Sequence, residues 1–170
     1  GRNNYGNCLQ RRAVHELILR AGLEPVSLDT RSVTRDFLKE KALTAGSTLP
    51  VKGVSIERAR SFKDFDAGVD CKRIRKGGLS GYSRDLFAVV CGSDQVWNPR
   101  IWDFDTYVNL LGFVEPHKRI ALSPSFGVAA LDEREAAVFG EELGKYGRIS
   151  TRESEGAAIV ESLVDIRGEV

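Results

Sequence analysis

The chain has 170 residues, of which 42% are hydrophobic and 29% are charged, and its formal net charge at pH 7 is +1. This length can support one domain with a real core, and the near-neutral charge gives no indication of a nucleic-acid partner. No apolar stretch approaches the roughly 20 residues of a transmembrane segment. The three cysteines form no Cys-x-x-Cys pair, which argues against a disulfide framework or a zinc site and favours a reducing, cytoplasmic setting.

The chain begins with a loop rich in glycine and asparagine, followed by a predicted helix and a predicted strand. Apolar residues recur every three or four positions over residues 9–21, which predicts a helix. Gly22 is suited to end that helix, and residues 24–30 alternate as a short strand does. Asn7 precedes the predicted helix, so it either caps the helix or helps the free N–H groups to bind an anion or a sugar oxygen.

The segment from Arg31 to Gly81 is the least informative. Residues 34–45 and 55–65 carry helix-forming residues with apolar anchors, and both predict helices. The basic run at residues 71–78 is a solvated face in the simpler interpretation and a phosphate contact in the other. It is short and lacks aromatic residues, which argues against nucleic-acid binding.

The most informative stretch is an apolar run from Leu86 to Cys91 that is closed by Gly92. Its length and β-branched content predict a buried strand, in which Cys91 is a small buried hydrophobe. In a parallel α/β sheet, ligands bind beyond the carboxyl ends of the strands. The alternative is a simple turn in which Trp97 is a core residue. The candidate site residues of this stretch are Ser93, Asp94, Gln95, Trp97 and Asn98.

Strands and helices alternate through the rest of the chain. Residues 118–123 and 148–150 predict strands, and residues 132–146 predict a helix between them. Ser125 follows the first of these strands. Arg152 follows the second, where it either clamps a carboxylate or phosphate or pairs with Asp94 or Glu153. The alternation predicts an α/β fold with a doubly wound, mostly parallel, Rossmann-like sheet.

Neither histidine nor any acidic pair indicates a catalytic or metal centre. His15 and His117 are isolated, and each is interpreted as a surface residue. Asp103 and Asp105 lack further ligands, so no metal site is predicted.

Four short motifs occur in order along the chain. They are Asn4-Tyr5-Gly6-Asn7-x-Leu9-Gln10, Gly92-Ser93-Asp94-Gln95-Val96-Trp97-Asn98-Pro99, Arg119-Ile120-Ala121 running to Ser125-Phe126-Gly127, and Ile149-Ser150-x-Arg152-Glu153-x-x-Gly156. Taken together, these motifs resemble the polysaccharide pyruvyl transferase family. They depart from the family pattern at Ser123-Pro124-Ser125, where small residues without proline are commoner, and at Thr151, where valine is commoner. Residues 31–81 carry no part of the resemblance.

The resemblance implies one half of a two-domain enzyme with the glycosyltransferase-B architecture. It implies transfer of a pyruvyl group from phosphoenolpyruvate onto a sugar of a cell-surface polysaccharide, as a ketal. No cofactor is implied besides the donor substrate, and the partner is a carbohydrate acceptor, of which a lipid-linked glycan is one candidate form. Asp94 is the candidate catalytic base. The candidate substrate-binding residues are Asn7, Ser93, Gln95, Trp97, Asn98, Ser125 and Arg152.

We expect residues 1–170 to form a single Rossmann-like domain, the N-terminal half of a larger enzyme whose donor site lies mostly beyond Val170. The segment alone is then expected to be inactive. Two other functions remain open from the sequence: a glycosyltransferase that uses a nucleotide sugar, and a carbohydrate-binding domain of the same fold without catalysis. The acceptor sugar and the oligomeric state are not predicted.

Overall fold

The structure is a computed structural model, and it describes residues 5–30, 64–65, 68–101 and 104–164. The chain divides into two compact units, residues 1–76 and 77–170, and each is described by itself. The predicted helix over residues 34–45, most of the one over 55–65, and Asp103 lie outside the described residues. The prediction of one domain within a larger enzyme stays a prediction.

Among the described residues of the first unit are a helix and two short parallel strands. Helix α1 spans Tyr5–Arg20, so it begins before the predicted start and takes in Asn7, which therefore does not cap it. The helix ends as predicted at Gly22, whose φ of +76° is left-handed. Gly22 N–H donates to Leu19 O and Leu23 N–H donates to Ile18 O, which is the Schellman arrangement.

The basic run forms a strand that the sequence did not predict. Strand β1 (Ser27–Asp29) pairs in parallel with β2 (Cys71–Arg73). All three residues of β2 are exposed, so no apolar alternation indicates it. Arg73 pairs with the buried Asp29 carboxylate at 3.5 Å.

His15 is buried, which contradicts its interpretation as a surface residue. Its Nε2 lies 3.1 Å from Ser27 Oγ, so it joins α1 to β1. Burial and the nearby Arg11 charge lower the His15 pKa, although Asp70 and Glu16 oppose the shift. His117 is exposed, as predicted.

The second unit is built on a three-stranded parallel sheet. Its strands are β3 (Val89–Cys91), β4 (Arg119–Ala121) and β5 (Arg148–Ile149), in the spatial order β3-β4-β5. Val90 is opposite Ile120, and Ile120 is opposite Arg148. The carboxyl ends of all three strands therefore meet at one edge.

Four α-helices lie among the described residues of this unit. They are α2 (Leu79–Ser83), α3 (Thr106–Asn109), α4 (Glu133–Leu143) and α5 (Ser154–Leu163). Asp132 caps α4 in a capping box with Glu135, which satisfies two of the free N–H groups of the first turn. The helix predicted at 132–146 is thereby confirmed, somewhat shorter. No helix in the described part of the chain is long and apolar enough to cross a membrane.

The prediction of a mixed α/β chain with parallel strands is confirmed at this coarse level. Each strand that the sequence predicted is shorter than its apolar pattern. The run that begins at Leu86 pairs only from Val89, and Phe87 is 80% exposed. The strand predicted at residues 118–123 ends at Ala121, two residues before Ser123, whose φ of +53° is left-handed.

An aromatic cluster packs in the core of the second unit. Trp97 lies 5.3 Å from Phe126 between ring centroids, and Phe126 lies 5.3 Å from Phe139. Phe139 in turn stacks on Phe104. Cys91 is buried, as predicted. Burying large aromatic rings makes this cluster a major source of the unit's stability.

A buried arginine joins the start of β4 to α4. Arg119 is 5% exposed; its Nε donates to Val114 O at 2.7 Å and its Nη1 to Glu142 Oε2 at 2.8 Å. Burial raises the Glu142 pKa, but hydrogen bonds from Lys145 and Arg119 outweigh burial and leave that pKa below its usual range. The Glu142 carboxylate therefore compensates a charge that could not stay buried alone.

We expect Glu142→Gln to lower the free energy of unfolding by about 1–3 kcal/mol at pH 7, since it removes a charged acceptor from Arg119. A carboxyl with a lowered pKa in the folded state stabilises the protein above its unfolded pKa and loses that contribution as the pH falls through the folded pKa. The difference in the free energy of unfolding between wild type and variant should therefore become smaller as the pH is lowered below about 4.5. Urea unfolding at pH 7, 5 and 3 measures this, and a difference that stays constant would contradict it. Glu141→Gln is the control, because Glu141 is exposed and contacts only Lys145 among the described residues.

Candidate functional site

Ser125 ties together the three loops that follow β3, β4 and β5. Its backbone N–H donates to Asp94 O at 2.8 Å, and its own carbonyl accepts from Trp97 N–H at 3.2 Å. Its hydroxyl donates to Glu153 Oε1 at 2.5 Å and accepts from Gly127 N–H at 3.1 Å. Every polar group of this fully buried serine is therefore used.

Further hydrogen bonds hold the same loops in register. Leu122 N–H donates to Cys91 O, and Ser123 N–H donates to Ser150 O. Arg152 N–H donates to Pro124 O at 3.2 Å. The loops that follow the three strands therefore meet at one end of the sheet, which we call the strand-exit edge. Its residues are Ser93, Asp94, Gln95, Asn98, Ser125, Gly127, Arg152 and Glu153.

Arg152 pairs with Glu153, one of the partners that the sequence suggested. Its Nε donates to Glu153 Oε2 at 3.3 Å, and its side chain is 40% exposed. In the described part of the chain, Nη1 and Nη2 make no hydrogen bond. These two groups form the planar fork that suits a carboxylate or phosphate.

Two amide side chains close around Gly127, which has a left-handed φ of +61°. A Cβ at this position would lie 2.8 Å from Asn98 Nδ2 and 3.2 Å from Gln95 Oε1. Asn98 Oδ1 accepts from Arg100 N–H at 3.0 Å, which holds the asparagine in place. Gln95 is exposed, and its amide makes no hydrogen bond within the described ranges.

Asp94 is half-buried at the start of the loop after β3. Its Oδ1 accepts from the N–H of Gln95 at 2.8 Å. Its Oδ2 has no partner among the residues that the structure describes, so it is open to a hydroxyl. Ser93 is half-buried in the same bend.

Trp97 is 0% exposed, so the indole packs in the core and has no face for a sugar. It lies against Phe126 and meets Tyr146 edge-on at 5.7 Å. Trp97 is therefore a core residue, which was the alternative interpretation of the sequence. Ser125 is likewise too buried to touch a substrate, so it acts by positioning the loops.

The Trp97 indole lies next to two other buried polar groups, Cys91 and Tyr146. Burial raises the pKa of the Cys91 thiol to about 12, with the Trp97 N–H opposing the shift, so it is an inert thiol. Burial also raises the Tyr146 pKa. Neither Trp97 Nε1 nor Tyr146 Oη has a hydrogen bond of good geometry in the described structure.

Asn7 lies in the first unit, in the first turn of α1. It keeps its position near the free N–H groups of that helix. No group of three or more metal-ligating side chains occurs in the part of the chain that the structure describes, and Asp105 caps α3 by accepting from Val108 N–H.

The sequence suggested Glu153 as a possible partner of Arg152 but not as a substrate-binding residue, although Glu153 lies inside the fourth motif. A carboxylate beside an arginine at a strand exit is the signal that indicates it. Its bond to Ser125, 28 residues away, is a tertiary contact. No protein-family model, curated protein or solved structure matches the chain.

Tyr146→Phe removes a buried hydroxyl that has no hydrogen-bond partner in the described structure, so it should leave the free energy of unfolding unchanged or raise it by up to about 1 kcal/mol. Trp97→Ala should lower it by about 3–5 kcal/mol, because it opens a cavity in the aromatic cluster. Denaturant unfolding of both variants measures the contrast. A loss above about 1 kcal/mol for Tyr146→Phe would show that the hydroxyl is hydrogen-bonded.

Gly127→Ala should lower the free energy of unfolding by about 1–3 kcal/mol, through left-handed strain and overlap with Asn98. Gly22→Ala is the matched control, because Gly22 has a φ of +76° but no atom within 4 Å of its Cβ position. Gly22→Ala should lower the free energy of unfolding by about 1 kcal/mol, through left-handed strain alone. In an Asn98→Ala background the cost of Gly127→Ala should fall. Equal costs in both backgrounds would exclude the contact between Gly127 and Asn98 as the cause.

Proposed function

We propose that this chain belongs to a transferase that moves a pyruvyl group from phosphoenolpyruvate onto two hydroxyls of a sugar, as a cyclic ketal. The acceptor is a sugar of a cell-surface polysaccharide, free or lipid-linked, and the reaction takes place in the cytoplasm. The proposal treats residues 1–170 as the acceptor-side half of a glycosyltransferase-B architecture. The donor site then lies mostly beyond Val170.

One observation carries this proposal. Three of the four motifs that resemble the pyruvyl transferase family follow three neighbouring parallel strands, and Ser125 joins their loops directly to one another. Polar side chains beyond the carboxyl ends of parallel strands are where such sheets bind ligands. This common location supports a single site for the motifs.

The side chains of the strand-exit edge suit a sugar. Asp94 offers a carboxylate oxygen, and Gln95 and Asn98 offer amides that both donate and accept. Sugar hydroxyls need donors and acceptors placed close together. Ser93 lies in the same loop as Asp94. Trp97 packs on the core side of that loop and does not stack on the sugar.

The reaction needs a proton donor, a base and cationic groups. A proton is added to the methylene carbon of phosphoenolpyruvate, which makes C2 electrophilic. One sugar hydroxyl attacks C2 and loses its proton, the bond between C2 and the phosphate oxygen breaks, and inorganic phosphate leaves. The second hydroxyl then bonds to C2, loses its proton and closes the ring.

In this scheme Asp94 accepts the proton of an attacking hydroxyl through Oδ2. Its Oδ1 is already bound to Gln95 N–H, which fixes the carboxylate. A positioned base of this kind contributes about 10²–10⁴ to a rate. Arg152 stabilises the negative charge of the carboxylate or of the departing phosphate.

Asp94→Asn in the full-length protein should lower turnover by about 10²–10⁴, with little effect on stability, because the amide oxygen can still accept from Gln95 N–H. Acceptor-dependent release of phosphate from phosphoenolpyruvate measures this. Asp85→Asn is the matched control: Asp85 is exposed and precedes β3, at its opposite end. Unchanged turnover in Asp94→Asn would exclude the base role.

The assay also separates the proposed function from its rivals. It uses a panel of glycans with galactose- and mannosamine-type ends, and compares the full-length protein with residues 1–170. Release by the full-length protein alone supports the transferase with a donor site past Val170. Turnover of a nucleotide sugar instead, or glycan binding without turnover, would replace the proposal with a glycosyltransferase or a binding domain.

A further inference from the structure

We infer that Glu153 is a positioning residue: its carboxylate, anchored by buried Ser125, holds Arg152 through Nε so that the outer face of the guanidinium is presented to an anionic group of the substrate. The inference rests on the proposed function and names the part of the site that meets the anion. The sequence suggested Glu153 only as a partner of Arg152, and the inference gives this pairing a purpose.

Ser125 anchors the side chain of Glu153. Its Oε1 accepts the Ser125 hydroxyl at 2.5 Å, and Ser125 cannot move because its N–H and carbonyl are bound to Asp94 and Trp97. A short hydrogen bond to a carboxylate is among the strong ones in proteins. The position of the Glu153 side chain is therefore set by the loops after β3 and β4, although Glu153 itself follows β5.

Glu153 in turn holds the guanidinium of Arg152. Glu153 Oε2 accepts from Nε at 3.3 Å, on the side of the guanidinium nearest the chain. Nη1 and Nη2 make no hydrogen bond to the residues described. A carboxylate or phosphate bound by these two nitrogens would form the parallel pair of hydrogen bonds that arginine favours.

The contact with Glu153 also affects the conformational entropy of the Arg152 side chain. A half-exposed arginine in solution samples many rotamers, and ordering it on binding an anion costs affinity. The contact with Glu153 removes part of that freedom before the anion arrives. The negative charge of Glu153 weakens the binding of an anion by Arg152. Glu153 therefore contributes by fixing the position of the Arg152 side chain and not through its charge.

Ser125→Ala is the sharpest test, because it frees Glu153 without changing any charge. Ser150→Ala is the matched control: the Ser150 hydroxyl also joins the exits of β4 and β5, by accepting from Ser123 N–H and donating to Ala121 O. It does not contact Glu153 in the described structure. Both variants remove one serine hydroxyl from neighbouring loops, and only one releases the Glu153 carboxylate.

The measurement uses the full-length protein labelled with ¹⁵N-arginine, with the Arg152 Nε–H signal assigned by its loss in Arg152→Lys. In the wild type this proton should exchange slowly with water, and inorganic phosphate should shift its signal. In Ser125→Ala its exchange should accelerate and phosphate binding should weaken by about fivefold to tenfold. In Ser150→Ala both should stay within about twofold of the wild type.

Glu153→Gln is a second variant, in case Ser125→Ala fails to fold. If the amide oxygen keeps the Ser125 bond, the amide nitrogen faces Arg152 and cannot accept from Nε, so the Nε proton should lose its protection. Equal phosphate binding in Ser125→Ala and Ser150→Ala, or a phosphate titration that does not move the Arg152 signal, would overturn the inference. The readout needs no turnover: protein that responds as expected but releases no phosphate from phosphoenolpyruvate would refute the proposed function alone.

Discussion

The hydrogen bonds of Ser125 decide the form of the strand-exit edge. Three parallel strands bring three loops to one side of a sheet, but parallel pairing alone does not fix loops to one another. Ser125 does so with four hydrogen bonds, two through its backbone and two through its hydroxyl. Because these groups are buried, each would be costly to leave unpaired. The loops therefore have one arrangement in which all of them are satisfied.

This arrangement separates residues that support the site from residues that face outward. Trp97 and Phe126 turn into the aromatic cluster, on the core side of the loops. Gln95 and the Arg152 fork remain at the surface. A chain of hydrogen bonds thus runs from Gly127 N–H through Ser125 and Glu153 to Arg152. Its Ser125 end is buried, and its Arg152 end is exposed. Sites built this way hold their groups in place before a ligand binds.

Much of the fold could be predicted from local patterns. The apolar run before Gly92 indicated β3, the periodicity and acids near Asp132 indicated α4, and Gly22 indicated the end of α1. These predictions succeed because hydrophobic period and capping chemistry act over a few residues. Strand β2 could not be predicted, since Cys71–Arg73 is exposed and polar. The early start of α1 escaped prediction because Gly6 and Asn7 are residue types that favour turns and loops.

The candidate site was predicted in part. The sequence by itself determined which polar residues follow each strand, because strand ends and loop chemistry are local properties of the chain. Only the tertiary structure decided which way these side chains turn. Trp97 is buried because Phe126 and Tyr146, from distant segments, cover its ring. Glu153 joins the site because Ser125 lies opposite it across β4 and β5, a neighbour that sheet pairing supplies and that no local pattern encodes.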